Sequence, residues 1–479
     1  MEAGGSTLEE GVHVTVPQDL DGPSAGQSAP APAAEWSYAS RIAFRFLFAY
    51  VLIFLASYSA FYAPFTLPIS VASRVFWEAV VSWVATHILL VTPPPLSSDG
   101  DGLGHWIQLG CCVVFAAVTT LIWSIADRRR RNYVHLATWL RVIVRYAVGI
   151  AMVVYGLAKI AHLQMLPPHL AKLVQPLSDS SPTSLLWILM GSSAAYSTFT
   201  GAVELLGGVL LFNRRTTTLG ALISLGALVH AVVLNLSYDV SVKIWSMSLL
   251  ALTLVLVVPD LRRVTDVFVL NRPSMPVVFP PLFRRPKHNR IVFRVGMACL
   301  AITLALRVVG LANGRGSQYA RTPTPIHGIY DVESFTLNGA ALPPLLTDTR
   351  RWRTVVIERS GMASIRLMDD DITDYLTSVD DANGTVTFLA NPDSTVTTAG
   401  ATRWAYNPRL IENRFDQALK TTADAGVTLD FSTSDGGALT LHGQWGSDRI
   451  EVQMTRVDES EFLLLSRGFH WVQAYPFFR

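Results

Sequence analysis

The sequence predicts a membrane all-α helical bundle of about seven transmembrane helices, followed by a mainly antiparallel β domain, either a barrel or a sandwich. Three observations carry that expectation. Of 479 residues 50% are apolar and only 15% are charged, against about 25% charged in an ordinary soluble protein; the mean hydropathy is positive, at +0.35. Apolar runs near the roughly 20 residues that a bilayer core demands recur as far as residue 312. From about Ser317 the pattern changes to period-2 alternation broken by turn residues. This composition excludes a disordered protein and argues against a purely cytosolic enzyme. A formal net charge of +2 offers no bulk attraction to nucleic acid.

In chain order, residues 1–36 are rich in Gly, Ala, Ser and Pro, with acids but no Lys or Arg ahead of Arg41. Lacking a basic start and an apolar core, they read as a disordered cytoplasmic tail and not as a signal peptide. The transmembrane domain covers 37–312, with spans at about 41–62, 106–125, 141–158, 196–212, 219–236, 244–258 and 291–311. The stretch 68–91 is long enough to cross, but Arg74, Glu78 and His87 interrupt it. Trp77, Val81 and Val84 recur in it at helical spacing, which suits a helix lying in the interface.

Loop charge tests this count, because short loops rich in Lys and Arg stay in the cytoplasm. Arg128, Arg129, Arg130 and Arg131 follow the second span, and Arg214 and Arg215 follow the fourth. Arg262, Arg263, Arg272, Arg284, Arg285, Lys287 and Arg290 follow the sixth. The intervening loops hold little beyond Arg74, Lys159, Lys172 and Lys243. The alternation places the N-terminus in the cytoplasm and everything after about residue 312 outside; counting 68–91 as a span would break it.

A linker at 313–328 leads into the β domain, 329–479. Thr354–Arg359, Ala363–Met368, Thr385–Leu389, Val427–Phe431, Ala438–His442 and Ile450–Val457 read as strands. Asn383–Gly384, Asp435–Gly437 and Gly446–Asp448 read as hairpin turns. The three cysteines, Cys111, Cys112 and Cys299, all precede this domain, so it does not rely on disulfides.

Ionisable groups inside spans are costly and mark candidate sites. Glu204 lies near the middle of the fourth span, with Gly201 and Gly208 on the same helix face. Small residues let a neighbouring helix approach; Gly220, Ser224 and Ala227 at matching spacing make the fifth span the expected neighbour. At the end of the third span, Tyr155, Lys159 and His162 fall at i, i+4 and i+7. Lys159 could hold an anionic head group, pair with Glu204, or snorkel to the interface. His230 and Asp239 follow at the end of the fifth span, Asp239 four residues before Lys243, a spacing of simple helix support. No metal-ligand spacing, phosphate-binding glycine loop or nucleophile elbow is present.

The third to sixth spans carry a family resemblance. Gly156 with Lys159, Glu204 with Gly207 and Gly208, and the basic turn Arg214–Arg215 lie in an order that resembles the DoxX-like family of bacterial membrane proteins, over roughly 140–260. The layout as a whole is similar to a longer subgroup with extra N-terminal spans and an extracytoplasmic β domain, in which Arg467, His470 and Trp471 of the closing segment Phe462–Phe478 are external-domain candidates. The residues by themselves read that segment as the last strand with a docked aromatic tail. A bundle followed by a β domain is also loosely similar in layout to vitamin K-dependent carboxylases. The DoxX-like resemblance implies a bacterial inner-membrane location and a link to quinone-dependent redox systems. With no CxxC, haem or flavin motif in the chain, the cofactor it implies is a diffusible quinone or one belonging to redox partner proteins.

Two readings follow. The first is a quinone- or lipid-binding accessory subunit of a membrane redox system, with Glu204 and Lys159 lining the pocket. The alternative is a non-catalytic envelope protein whose bundle anchors an external β domain that binds a partner or small ligand. A transporter is weaker, as neither internal repeats nor broken helices are evident.

Overall fold

The computed structural model describes residues 35–57, 67–96, 101–274, 282–312, 323–359, 361–390, 426–434, 436–468 and 470–473. Nearly all of the expected tail 1–36, most of the linker 313–328, the turn residue Asp435 and residues 474–479 of the closing segment lie outside the described residues.

The helices are α1 (Tyr38–Ser57), α2 (Leu67–His87), α3 (Leu103–Ala126), α4 (Val134–Ile160), α5 (Leu170–Val174), α6 (Pro182–Ser192), α7 (Ala194–Phe212), α8 (Thr217–Ser237), α9 (Lys243–Val257), α10 (Leu261–Phe268) and α11 (Pro286–Ala312). Among the described residues, seven helical segments are long and apolar enough to cross a membrane: α1, α3, α4, α7, α8, α9 continued into α10, and α11. Their outward faces stay apolar. Val114, Val118, Leu121 and Ile122 of α3 are exposed, as are Val229, Val233 and Leu236 of α8. Surface of this kind needs an apolar solvent, so the chain is a membrane protein bathed by lipid.

α2, the stretch expected to lie in the interface, is not among the seven. It runs antiparallel to the first half of α3: Trp77 meets Phe115 with centroids 5.8 Å apart, while Pro95 and Leu96, beyond the end of α2, lie against Gly104. Trp77, Val81 and Ala85 are buried on Ile107, Cys111 and Cys112, and Val75, Phe76 and Trp83 stay exposed. This one-sided burial places α2 at the flank of the bundle and not in its core.

One end of the bundle is tied by arginines. The buried Arg45 of α1 donates from Nε to the Tyr133 hydroxyl, from Nη1 to Ser124 Oγ and from Nη2 to the Asp127 carbonyl, each at 2.8 Å. Tyr133 in turn donates to the Asp127 carboxylate at 3.0 Å. Arg141 of α4 pairs with the buried Asp260, which also accepts from Thr218 at 2.7 Å. These bonds join the start of α1 and α4, the end of α3, the start of α8 and the turn after α9 at the same end. Unpaired, each of these polar groups would be costly in an apolar setting.

The second half is a closed barrel. β1 (Gly328–Leu337), β3 (Trp352–Ile357), β4 (Met362–Leu367), β5 (Ile372–Asp380), β6 (Thr385–Ala390), β7 (Val427–Thr433), β8 (Leu439–Trp445) and β9 (Asp448–Arg456) pair antiparallel in chain order. The two-residue β2 (Ala340–Ala341) lies against the end of β1. Pairing of Tyr330–Leu337 with Arg456–Ile450 closes β1 on β9. Of the two expected architectures, barrel or sandwich, the chain adopts the barrel. With eight strands the interior is just wide enough for side chains to fill it. Val355, Ile365, Val386, Leu429, Leu441 and Val452 do so. Trp352, Tyr375, Phe388 and Trp445 meet edge to face, with centroids 4.8–5.9 Å apart.

β1 and β5 were not legible as strands. A bulge between Val332 and Ser334 breaks the alternation of β1, so that inward Tyr330 and Val332 are followed inside by Phe335. In β5 the outward Asp374 is buried and accepts a 2.7 Å hydrogen bond from Ser364, so a strand face that usually reads as polar and solvated is covered. The described residues of the closing segment form no last strand. β9 already completes the barrel, Leu463–Ser466 forms one helical turn, and Trp471 is 91% exposed.

Candidate functional site

α4 and α7 lie antiparallel with glycines facing glycines. A Cβ on Gly156 would stand 2.6 Å from the Gly201 carbonyl oxygen, and one on Gly208 would stand 2.9 Å from that of Gly149. Backbones this close admit no side chain at these positions. The neighbour of the Gly201, Glu204 and Gly208 face is therefore α4, where the small-residue pattern had pointed to α8. It is Gly207, on the adjacent face of α7, that meets Gly220 and Ser224 of α8. α7 thus carries two small-residue faces, and spacing on one helix does not say which partner takes which.

Within this contact Lys159 Nζ donates to both Glu204 carboxylate oxygens, at 2.8 and 2.7 Å. The residues are 9% and 8% exposed. The Lys159 ammonium also stands 5.7 Å from the centre of the Tyr155 ring, and the Lys159 carbonyl accepts from Ser197 Oγ at 3.3 Å. Of the three roles open to Lys159, the ion pair with Glu204 is the one adopted. Both charges are spent on each other. Chemically this is a tie between two helices.

The other sequence candidates do not join this cluster. α4 ends at Ile160, and His162 follows at φ +51°, off the helical face it was expected to share. His230 faces outward on α8. Asp239 is exposed at φ +52° and takes Lys243 Nζ at 2.7 Å, the local pairing its spacing suggested. Arg467, His470 and Trp471 are exposed beyond β9, with His470 Nδ1 2.9 Å from the Gly468 carbonyl oxygen.

Ten residues beyond Lys159 the chain docks onto the barrel. The short α5 lays Leu170 and Ala171 on Ile329 of β1 and Val356 of β3, with Leu173, Val174, Val457 and Phe462 packed around them. The Ala171 N–H donates to Glu358 Oε1 at 3.1 Å, and Arg366 Nη1 donates to the Val174 carbonyl at 2.9 Å. Burial lifts the Glu358 carboxyl from 4.5 to about 7; Glu459 adds to the rise, and the N–H groups of Ala171 and Leu170 oppose it. Burial also pulls His169 from 6.5 to about 4, with Lys172 adding to the fall. His327, at the start of the barrel, falls to about 4 through burial and the charges of Arg359 and Arg456.

Sequence reasoning missed Glu358, since an acid at a strand end carries no sign of what will cover it. It also passed over Arg45, Arg141 and Arg145, although their positions inside apolar spans were a usable signal.

A seven-helix membrane bundle joined to an eight-stranded antiparallel β-barrel is the class that fold and site define. Among known proteins, the uncharacterized protein YwoB of Bacillus subtilis (strain 168) is 32% identical over 117 residues, which make up 24% of this chain and 73% of that protein. The chain therefore belongs to the family of that protein. No family model matches it, and no solved structure does.

A helix tie and a ligand site respond differently to substitution. Removing one partner of a buried ion pair costs about 3–5 kcal/mol, whereas replacing both by apolar groups of similar volume is near neutral. Lys159→Met should therefore lower the thermal unfolding midpoint sharply, and Lys159→Met with Glu204→Leu should recover most of the loss. Thermal unfolding in detergent checks both; a double variant as unstable as the single one would contradict the tie.

The docking face should be pH-sensitive. The native fold holds the Glu358 proton more tightly than the unfolded chain, so that contribution to stability is full below pH 4.5 and is lost as pH rises to about 7. It refuses protons at His169 and His327, so theirs is full above pH 6.5 and is lost as pH falls to about 4. Glu358→Gln leaves the histidines unopposed. Its unfolding midpoint should fall more steeply than that of the wild type on acidification from pH 6.5 to 4.5; equal slopes would contradict this account.

Proposed function

We propose that the bundle binds a quinone or another long apolar lipid and serves as an accessory subunit of a membrane redox system. The observation that carries this reading is a cavity of about 250 Å³ between α1, α3 and α9, lined by Tyr50, Val51, Phe54, Leu109, Ser248 and Leu252 among others. Its lining is mostly apolar, a surface that accepts hydrocarbon. Tyr50 and Ser248 bring hydroxyl donors of the kind a quinone carbonyl accepts. The redox half rests on the resemblance to DoxX-like proteins. Lys159 and Glu204 do not line this cavity; they hold the neighbouring helices together. The arginine-rich end is assigned to the cytoplasm and the barrel to the outer side of a bacterial inner membrane, because short basic loops are retained inside.

A second reading is favoured by a groove of about 530 Å³ where Leu173 and Val174 meet the barrel wall, lined by Arg351, Arg353 and Arg366 with Val457 and Phe462. It supports an envelope protein whose barrel takes a partner or small ligand there, with the bundle as anchor.

One comparison separates the two. Ser248→Trp fills the helix cavity, and Arg353→Ala alters the groove. Quinone retained by the purified chain in nanodiscs of defined lipid should fall about tenfold or more in Ser248→Trp, with the unfolding midpoint unchanged, and stay constant in Arg353→Ala. Equal retention in Ser248→Trp and wild type would sink the quinone reading.

A further inference from the structure

We infer that the arginine end of the bundle binds the phosphate of an anionic lipid, at a site between α4, α8 and α11 and apart from the cavity proposed for a quinone. Arg145 of α4 carries the inference. Its Nε is buried and has no hydrogen-bond acceptor among the described residues. Its Nη1 reaches Thr217 Oγ1 at 3.5 Å, the outer limit of a hydrogen bond, and its guanidinium stands 5.1 Å from the centre of the Tyr146 ring. The Tyr146 phenol acts on it favourably, and the charged side chains that act on it are Arg141 and Arg214, both of its own sign. Asp260, the acid of this corner, is already held by Arg141, by Thr218 and, at 3.8 Å, by Arg263. A largely buried cation with cationic neighbours needs a counter-ion, and none among the described residues supplies it.

The surroundings select the class of anion. Arg145 presents a guanidinium fork, which suits phosphate oxygens, and Arg214 adds positive charge nearby. Beside them α8 begins. Its cap residue Thr216 turns its hydroxyl to the carbonyls of Leu210 and Asn213 and makes no side-chain cap, so the first N–H groups of the helix add to the positive field. The Tyr146 ring lies so close to Gly296 of α11 that a Cβ there would strike the phenol, which walls the site on that side. Tyr146 also packs into an apolar cluster with Val153, Phe212 and Leu300. A phosphate flanked by hydrocarbon is the chemistry of a lipid head group at the membrane border.

The test uses the full chain in detergent micelles, with phosphatidylglycerol, phosphatidylcholine or inorganic phosphate added separately and bound lipid read by native mass spectrometry. Wild type should retain phosphatidylglycerol in preference to phosphatidylcholine and unfold at a higher temperature with it. Arg145→Gln should weaken that retention about tenfold or more, while Arg272→Gln, an exposed loop arginine, should leave it unchanged. Arg214→Gln, exposed on the turn, serves as the second variant should Arg145→Gln fail to fold, and should also weaken retention. Unchanged retention in the folded arginine variants, or equal retention of phosphatidylcholine, would overturn the proposal. Equal stabilisation by inorganic phosphate would replace the lipid by a soluble anion and overturn the assignment to lipid.

Discussion

The backbone of α4 touches that of α7 because Gly149, Gly156, Gly201 and Gly208 leave no side chain between them, and this contact sets the geometry of much else. In a bilayer there is no hydrophobic force between helices, since lipid tails are as apolar as leucine; close packing and polar ties must do the work. The glycine contact supplies the first, and the Lys159–Glu204 pair supplies the second. Their coexistence is not accidental. The close approach of the two backbones keeps the lysine stem and both carboxylate oxygens inside the packed contact. The other face of α7 then takes α8 through Gly207, Gly220 and Ser224, so α7 is held from both sides.

From this pair of helices the two ends of the bundle diverge. At one end arginines satisfy each other's neighbours: Arg45 is enclosed by Tyr133, Ser124 and Asp127, and Arg141 by Asp260. Arg145 stands apart from that pattern, a cation among cations, which is the physical reason for placing a lipid phosphate beside it. At the other end α4 runs out just past Lys159 and leads to α5, which lies on the barrel wall. Glu358 and Arg366 bind backbone atoms of that segment, one accepting and one donating. The helix tie and the barrel dock are thus separated by a short stretch of one chain.

Legibility from sequence followed physical range. Spans were readable because bilayer thickness imposes a length and composition on each helix separately; α1, α3, α4, α7, α8, α9 and α11 all lie where apolar runs occur. Strands with strict alternation, such as β6 and β8, were readable for the same reason. β1 escaped because its bulge shifts the period, and β5 because its outward Asp374 is buried and paired with Ser364 of the neighbouring strand. For the site, Glu204 and Lys159 stood out as charges in apolar runs, but their pairing across 45 residues was only one of three roles open to the lysine. Exposed His230, Asp239 and His470 stood out equally, since a sequence lists polar residues without saying which face each other.

What the sequence by itself determined is the material of each half: apolar helices of bilayer length, then alternating strands, with arginine concentrated in alternate loops. These are properties of single segments set by their solvent, whether lipid or water. Only the tertiary structure decided that α7 takes α4 on the face bearing Glu204, that the strands close β1 on β9 into a barrel, and that α5 docks on Glu358. Each of these depends on whether two distant surfaces can approach without clash and without stranding a charge, and that condition is met by pairs of segments, never by one.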